Sequence, residues 1–442
     1  MSYPMKMAGA FFTAFLFTAF ILPRLSRLAK RIGLLDIPNV RKVHNEPKPL
    51  VGGLGMMMAV SLSSLIFIPL DDLRGYFAGM ILLVITGFLD DFRELDHKWK
   101  FAAQIGASLL AVFLSNAQLH TFGDLLGFGD IHLGVFSIPV TVFCMVGVIN
   151  AFNMIDGLDG LAGLVAFVGF ATFGLLSAFS GNYSLLLLSL AMMGSILGFL
   201  RYNWFPSTLF MGDAGSMALG YSLAFFSIAL TQKGGAAVPP VAPLMILAVP
   251  ITDAVIVMTK RMLRGRNPFI ADTNHLHHNI LFLGYSKKTA VESVGLLVII
   301  LSGIAAFGTM TSMRETILFG IFVFYLICHG LFTFTVKKAA FWQEDGEARP
   351  PLIRALMPHW FRNLDPETGL LNEKAITENL EAELEISKRD GDLSFVLLEH
   401  PDFSGKECGG AKIRIHNLLR GIIRKTDIVG LYKDWIALIL PE

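Results

Sequence analysis

The sequence predicts an all-α polytopic membrane protein of about eleven transmembrane helices, followed by a small soluble α/β domain. Three observations lead there. Of 442 residues, 54% are hydrophobic and only 16% charged, against roughly 25% charged in a soluble domain. Apolar runs of bilayer-spanning length recur along the chain, centred near residues 15, 60, 82, 110, 144, 168, 192, 222, 250, 300 and 325. After Lys337-Lys338 the composition turns abruptly polar. The expected layout is a membrane domain over residues 1–336, a linker over 337–349 and a soluble domain over 350–442.

The first run, Met7 to Leu22, leads straight into Pro23 and a basic loop without a small-residue cleavage site, so it reads as a retained span rather than a signal peptide. Lys and Arg then set the orientation, because cytoplasmic loops are enriched in them. The loops after odd-numbered spans hold Arg24, Arg27, Lys30, Arg31, Arg41, Lys42 and Lys48, then Arg93, Lys98 and Lys100, then Arg201, then Lys260, Arg261, Arg264, Arg266, Lys287 and Lys288. The opposite side has Lys6, Arg74, Lys233 and Arg314. The N-terminus is therefore expected outside and the C-terminal tail in the cytoplasm. Charges so segregated leave the net charge of +1 uninformative and give no nucleic-acid partner. Cys144, Cys328 and Cys408 lie too far apart in the chain to suggest a disulfide framework or a zinc site.

Between two apolar runs stands Asn150-Ala-Phe-Asn153-Met-Ile-Asp156-Gly-Leu-Asp159-Gly160, with hydrogen-bonding side chains at three-residue steps where lipid-facing helices normally allow none. In a continuous helix these groups would fan over one half of the cylinder and face a polar cavity. Other polar clusters fall on the same cytoplasmic side: Arg41-Lys42-Val-His44 with Pro47, Pro49, Gly52 and Gly53; Asp90-Asp91; Lys98-Trp-Lys100; Phe210-Met-Gly-Asp213-Ala-Gly-Ser216; and His275-Leu-His277-His278. A carrier would place polar groups near the bilayer midplane, whereas these sit at span ends.

Carboxylates, an amide, histidines and basic groups around one membrane surface suit a metal-bound diphosphate. Oxygen-rich ligands favour Mg²⁺, with Mn²⁺ as a substitute. Gly212-Asp213-Ala-Gly215-Ser216 opens the eighth span, so its amides and helix dipole are expected to meet phosphate oxygens. Asp90 and Asp91 end a long apolar span, and adjacent carboxylates repel unless cations or hydrogen bonds absorb their charge; one is a candidate base or phosphate organiser. In a helix His275 and His278 would share a face and His277 would point away, so only a loop could converge all three. Phosphate contact, an ordinary polar loop and a transition-metal site all remain open for them.

These motifs, in this order, resemble the polyprenyl-phosphate N-acetylhexosamine-1-phosphate transferases over residues 1 to about 336. The RKxH and PxxGG loop, Asp90-Asp91, NxxNxxDGLDG, FMGDAGS and HLHH look closest to the bacterial WecA-like branch, which uses undecaprenyl phosphate and a UDP-N-acetylhexosamine. The resemblance implies transfer of a sugar-1-phosphate, with N-acetylglucosamine the favoured sugar, to the phosphate of a C55-type polyprenol on the cytoplasmic face of a bacterial inner membrane. UMP would be released and a surface glycan begun. It implies Asn153 and Asp213 as Mg²⁺ ligands, Phe210 stacking on uracil, and Asp156 and Asp159 lining the nucleotide-sugar cavity beside Asn150. Asp90 or Asp91 would orient or deprotonate the lipid phosphate, with Lys100, Arg41, Lys42 and His44 offering contacts to phosphates. Arg266, His275, His277 and His278 would hold the diphosphate or the sugar. A homodimer is compatible with this reading. The alternatives are a muramoyl-pentapeptide donor on the same fold or a non-enzymatic polyprenyl glycolipid carrier. A CDP-alcohol phosphotransferase is disfavoured, because Asp156-Gly-Leu-Asp159-Gly160 lacks the arginine of that pattern.

In the tail, Asp365-Pro-Glu-Thr368-Gly369-Leu370-Leu-Asn372 opens an amphipathic helix with Leu380, Leu384 and Ile386. A strand over Leu393 to Leu398, a helix near 411–424 and a strand over Ile436 to Leu440 are expected to follow. This resembles a truncated, degenerate GGDEF domain. Glu399 and Pro401 stand near where metal-binding aspartates belong, and Tyr432-Lys-Asp-Trp435 replaces the signature, so cyclase activity is not expected. A regulatory or docking module is the expectation, its ligand or partner unknown.

Overall fold

The computed structural model describes residues 2–37, 47–93, 95–232, 238–263, 275–283, 285–344, 370–390, 393–399, 427–433 and 435–441. Arg41, Lys42, His44, Arg266 and the helix expected near 411–424 lie outside the described residues. In chain order the elements are α1 (Tyr3–Ile32), β1 (Leu35–Asp36), β2 (Lys48–Pro49), α2 (Gly52–Phe67), α3 (Arg74–Arg93), α4 (His97–Ser115), α5 (Ser137–Ile155), α6 (Leu161–Phe179) and α7 (Tyr183–Asn203). There follow α8 (Gly212–Thr231), α9 (Val241–Ile246), α10 (Ala248–Leu263), α11 (Leu276–Phe282), α12 (Lys287–Met310), α13 (Glu315–Glu344), α14 (Glu373–Asp390), β3 (Leu393–Leu398), β4 (Ile428–Tyr432) and β5 (Trp435–Pro441).

Every expected span centre falls within a helix, and eight helical segments among the described residues are long and apolar enough to cross a membrane. This is a multi-pass membrane protein. The other three expected spans fall short for visible reasons. Helix α2 has only 16 residues, and α4 opens with His97, Lys98 and Lys100 and buries Gln104. The run near residue 250 is divided into α9 and α10. Pro250 has no N–H to give the carbonyl of Ile246, which breaks the helix there.

The described chain divides into two compact units, Met1–His278 with Ser286–Leu331, and Asn279–Tyr285 with Phe332–Glu442. In the first, α8 is the central helix: 89% of its most apolar stretch is buried, against 22% for α1. It packs on α3, α5 and α2, while α1 covers α2 and α7. Two glycines let other backbones reach its N-terminal end. An added Cβ at Gly53 would overlap the backbone of Gly215, and one at Gly87 the backbone of Ala214. Small residues at such crossings are how helices without a hydrophobic driving force between them pack closely. The Gly52 and Gly53 amides donate to the carbonyls of Phe210 (2.9 Å) and Met211 (2.8 Å), which ties the start of α2 to the start of α8.

In the second unit, β3, β5 and β4 form an antiparallel sheet in that order, with Phe395 opposite Ile439 and Val429 opposite Leu438. Helix α14 starts where Asn372 Oδ1 accepts the Ala375 amide at 2.9 Å, and its Ile376 packs with Ala437 and Ile439. The strands expected from Leu393 and Ile436 are present. Strand β4, which pairs with β5 across a tight turn, was not anticipated, because Ile428-Val-Gly-Leu-Tyr432 is too short to stand out beside the helix expected before it.

Candidate active site

The ends of four helices meet on one side of the first unit: the C-terminal ends of α3 and α5 and the N-terminal ends of α4 and α8. They bring five of the aspartates singled out from the sequence into one electrostatic neighbourhood. Lys100 Nζ lies 3.0 Å from Asp213 Oδ2 and pairs also with Asp90 Oδ2, so one ammonium group joins two carboxylates from different helices. The second oxygen of Asp90 accepts the Leu95 amide at 2.7 Å and thereby fixes the turn between α3 and α4. Asp96 caps α4 by accepting the Lys98 amide at 2.9 Å, which directs Lys100 from the first turn.

Asp91 does something different. Its Oδ1 accepts the Asp213 amide at 2.8 Å and its Oδ2 the Ala214 amide at 3.3 Å. These are the opening amides of α8, where unsatisfied N–H groups and the positive end of the helix dipole favour an anion. The phosphate expected on those two amides therefore meets a place already taken by the protein's own carboxylate. Gly212 adopts φ +74°, a left-handed conformation that costs glycine little, and a Cβ there would run into Asp91.

Helix α5 ends at Ile155, so the expected continuous fan of polar groups is divided. Asn150 and Asn153 stand on its last turns, and Asp156 and Asp159 lie on the turn that follows. Asn150 Nδ2 donates to Gln104 Oε1 at 2.7 Å and to the Val146 carbonyl at 2.8 Å, a tie between α4 and α5. Asn153 Oδ1 accepts Ser216 Oγ at 2.8 Å, and that hydroxyl also lies 3.4 Å from the Asp213 carbonyl. Asp159 Oδ2 accepts the Ser207 amide at 2.9 Å and sits 3.7 Å from Lys48 Nζ. Lys48 in turn donates to Ser207 Oγ at 2.8 Å and stands 4.8 Å above the Phe210 ring. Asn203 Oδ1 accepts the Gly160 amide at 2.9 Å and holds the far end of the turn. Burial, together with the charges of Asp213 and Asp159, pushes Asp156 up to about 7.

The histidine segment joins this turn. His275 precedes α11, whereas His277 and His278 lie in it, which lets the three rings converge as a continuous helix would not. His277 stacks on His275 at 5.7 Å and meets His278 at 4.3 Å. His277 is 1% exposed, its Nε2 has no hydrogen-bond partner among the described residues, and a Cβ on Gly157 would lie 2.5 Å from that nitrogen. Burial and the neighbouring His278 push the His277 imidazole down to about 3. His277 is therefore neutral at physiological pH and meets the turn as a dipole, not a cation.

Several contributors escaped the sequence reading. Gln104 and Asp253 are polar residues within apolar runs, a signal that was available. Lys48 was one basic loop residue among many, and only its place above Phe210 separates it from the rest.

A cluster of carboxylates, amides and lysines thus stands at one end of an apolar helical bundle. Residues 73–231, which contain Asp90, Asp91, Lys100, Asn153 and Asp213, match the family described as glycosyl transferase family 4. An undecaprenyl-phosphate alpha-N-acetylglucosaminyl 1-phosphate transferase of Escherichia coli O157:H7 is 32% identical over 333 residues, covering 74% of this chain and 89% of that protein. The protein of the same name from Yersinia pestis is 32% identical over 337 residues, covering 74% and 89% respectively. The chain belongs to this family of membrane transferases.

Proposed function

We propose that this protein transfers N-acetylglucosamine-1-phosphate from UDP-N-acetylglucosamine to undecaprenyl phosphate, releasing UMP at the cytoplasmic face of a bacterial inner membrane. The reading rests above all on Lys100 bridging Asp90 and Asp213 beside Asn153, in a chain 32% identical to transferases of that name. The basic loops after odd-numbered spans support eleven crossings with this site in the cytoplasm.

In the reaction an oxygen of the lipid phosphate attacks the β-phosphorus of the donor, the anhydride between the two phosphoryl groups breaks, and UMP leaves. The attacking group is a phosphate monoester with a second pKa near 6, so it is already largely dianionic and needs no strong base. This suits Asp90 and Asp91, whose carboxylates are engaged with Lys100, Leu95 and the start of α8. The harder task is to bring two anions together. Lys100 and Lys48 supply positive charge, and Phe210 under Lys48 offers a flat apolar face for the uracil.

The donor set fits Mg²⁺ or Mn²⁺. Asp213 and Asn153 would hold it, their chain segments tied where the Ser216 hydroxyl meets Asn153 Oδ1 and the Asp213 main-chain carbonyl, and five clustered aspartates against two lysines leave negative charge for a cation to balance. Among the described residues no group of three or more His, Cys, Asp or Glu is placed to hold a metal ion by itself. Mg²⁺ characteristically completes its shell with substrate phosphates and water. When bound, it neutralises charge on the diphosphate oxygens. For the soluble tail we retain a degenerate GGDEF-like docking module, on the strength of the Asp365 to Asn372 motif and the β4–β5 hairpin.

The test is purified protein with undecaprenyl phosphate, Mg²⁺ and a panel of UDP-sugars, following UMP and lipid-linked sugar. EDTA-sensitive UMP release with UDP-N-acetylglucosamine, matched by lipid product, is expected. A preference for UDP-N-acetylmuramoyl-pentapeptide, or no release with any donor, would overturn it.

A further inference from the structure

Asp253 lies inside α10 and is 3% exposed, in a run otherwise built for apolar surroundings. A carboxylate there is costly unless its oxygens are fully engaged. They are engaged with the histidine segment. Asp253 Oδ2 lies 2.8 Å from His275 Nδ1, and Oδ1 accepts the Leu276 amide at 2.8 Å. His329, from α13, brings its Nε2 to 3.7 Å of the same Oδ1, while its Nδ1 is 3.0 Å from Thr252 Oγ1. One carboxylate thus grips the residue before α11 and the first residue of α11, and the rings of His277 and His278 follow from that grip.

We infer that Asp253 is a positioning residue for the transfer reaction: it fixes the tautomer of His275 and seats the His275–His278 segment against the Asp156–Asp159 turn. A carboxylate has only acceptor positions, so His275 Nδ1 carries the proton that faces Asp253. The chain of contact continues from His275 through the stacked ring of His277 to Gly157. Partners that orient a working histidine through its other nitrogen cost about 10- to 100-fold when removed from metal sites, and the same logic of a fixed ring applies here. This inference rests on the transferase reading for its activity readout, and on the geometry alone for a second one.

Asp253→Asn is the informative variant because it preserves shape. Its carbonyl oxygen can still accept the Leu276 amide, but its NH₂ group now donates to His275 Nδ1 and reverses the tautomer. The expected result is a fall in kcat of about 10- to 100-fold, with KM for the polyprenyl phosphate within about threefold and an unchanged melting temperature. In a His275→Ala background the same substitution should cost less than about threefold, since a residue acting through His275 has nothing left to orient. Hydrogen exchange of intact protein supplies the readout that needs no activity: Asp253→Ala should raise exchange in residues 275–283 and 154–160 together. Full activity in Asp253→Asn, or an equal loss with and without His275, would overturn the inference. So would unchanged exchange in Asp253→Ala. A wild-type protein that releases no UMP, with the coupled rise in exchange still seen in Asp253→Ala, would sink the transferase reading and leave the positioning role standing.

Discussion

Adjacent carboxylates at the end of α3 do different work, and Asp91 exposes the difference. It accepts two amides at the start of α8, at 2.8 and 3.3 Å, and one of them belongs to Asp213 itself. Replacing Asp91 with Asn keeps an oxygen acceptor for the nearer amide but turns an NH₂ donor toward the Ala214 amide and removes the charge facing the helix dipole, the charge alone being worth about 0.3–1 kcal/mol at most sites. If Asp213 moves little, kcat should fall by less than about tenfold, since tenfold corresponds to roughly 1.4 kcal/mol. Asp91→Ala removes both acceptors and leaves amides of α8 without partners, at about 1–3 kcal/mol each, so the first turn of α8 should loosen. Asp213 and Lys100 then lose their alignment, and kcat should fall by about a hundredfold or more. The assay is UMP release at saturating substrates, read beside thermal stability in the same detergent. An Asn variant as inactive as the Ala variant, with wild-type stability, would refute the capping role and show that the charge of Asp91 enters the chemistry directly.

Asp213→Ala should reduce turnover more than Asp90→Asn, because the first deletes an expected Mg²⁺ ligand and a Lys100 partner while the second keeps the Leu95 hydrogen bond; steady-state rates in the reverse order would refute a metal-centred mechanism. Folding raises Asp156 from 3.8 to about 7, so its protonated form contributes stability that is full below 3.8 and is lost as the pH rises through about 7. Melting temperature in EDTA should therefore fall as the pH rises from about 4 to about 7 and level off above it, and Asp156→Asn should flatten that fall; an identical slope in the variant would assign it to another group. Gly87→Ala places a Cβ on the Ala214 backbone, which cannot yield as a side chain does, and should destabilise the protein by about 1–3 kcal/mol with loss of activity; a variant melting like the wild type would deny the close approach of α3 and α8. One phosphoanhydride is made for each one broken, so excess UMP added to the lipid product should regenerate UDP-sugar without ATP. Failure of that exchange would argue against direct transfer.

The sequence by itself determined the membrane class, a helix at every expected centre, eight of them long enough to cross a membrane among the described residues, and the aspartates at helix ends, because hydropathy and the scarcity of charge in apolar runs are local properties. It also marked the change to an α/β tail, where strands with short-range partners are legible, although β4 was missed. Tertiary structure decided what each polar group touches. Asp90 and Asp91 are neighbours in the chain with the same chemistry, yet successive positions on a helix point about 100° apart, so one meets Lys100 and the other the start of α8. Asn150 appeared beside Asn153 in one motif, but its amide is engaged with Gln104 across an interhelical contact. Asp253 and His275 stand 22 positions apart and are joined only by the tertiary fold. Hydrophobic pattern reports which surface a residue faces; a hydrogen bond depends on distances of a few tenths of an ångström between elements, which close packing such as that of α8 against Gly53 and Gly87 sets.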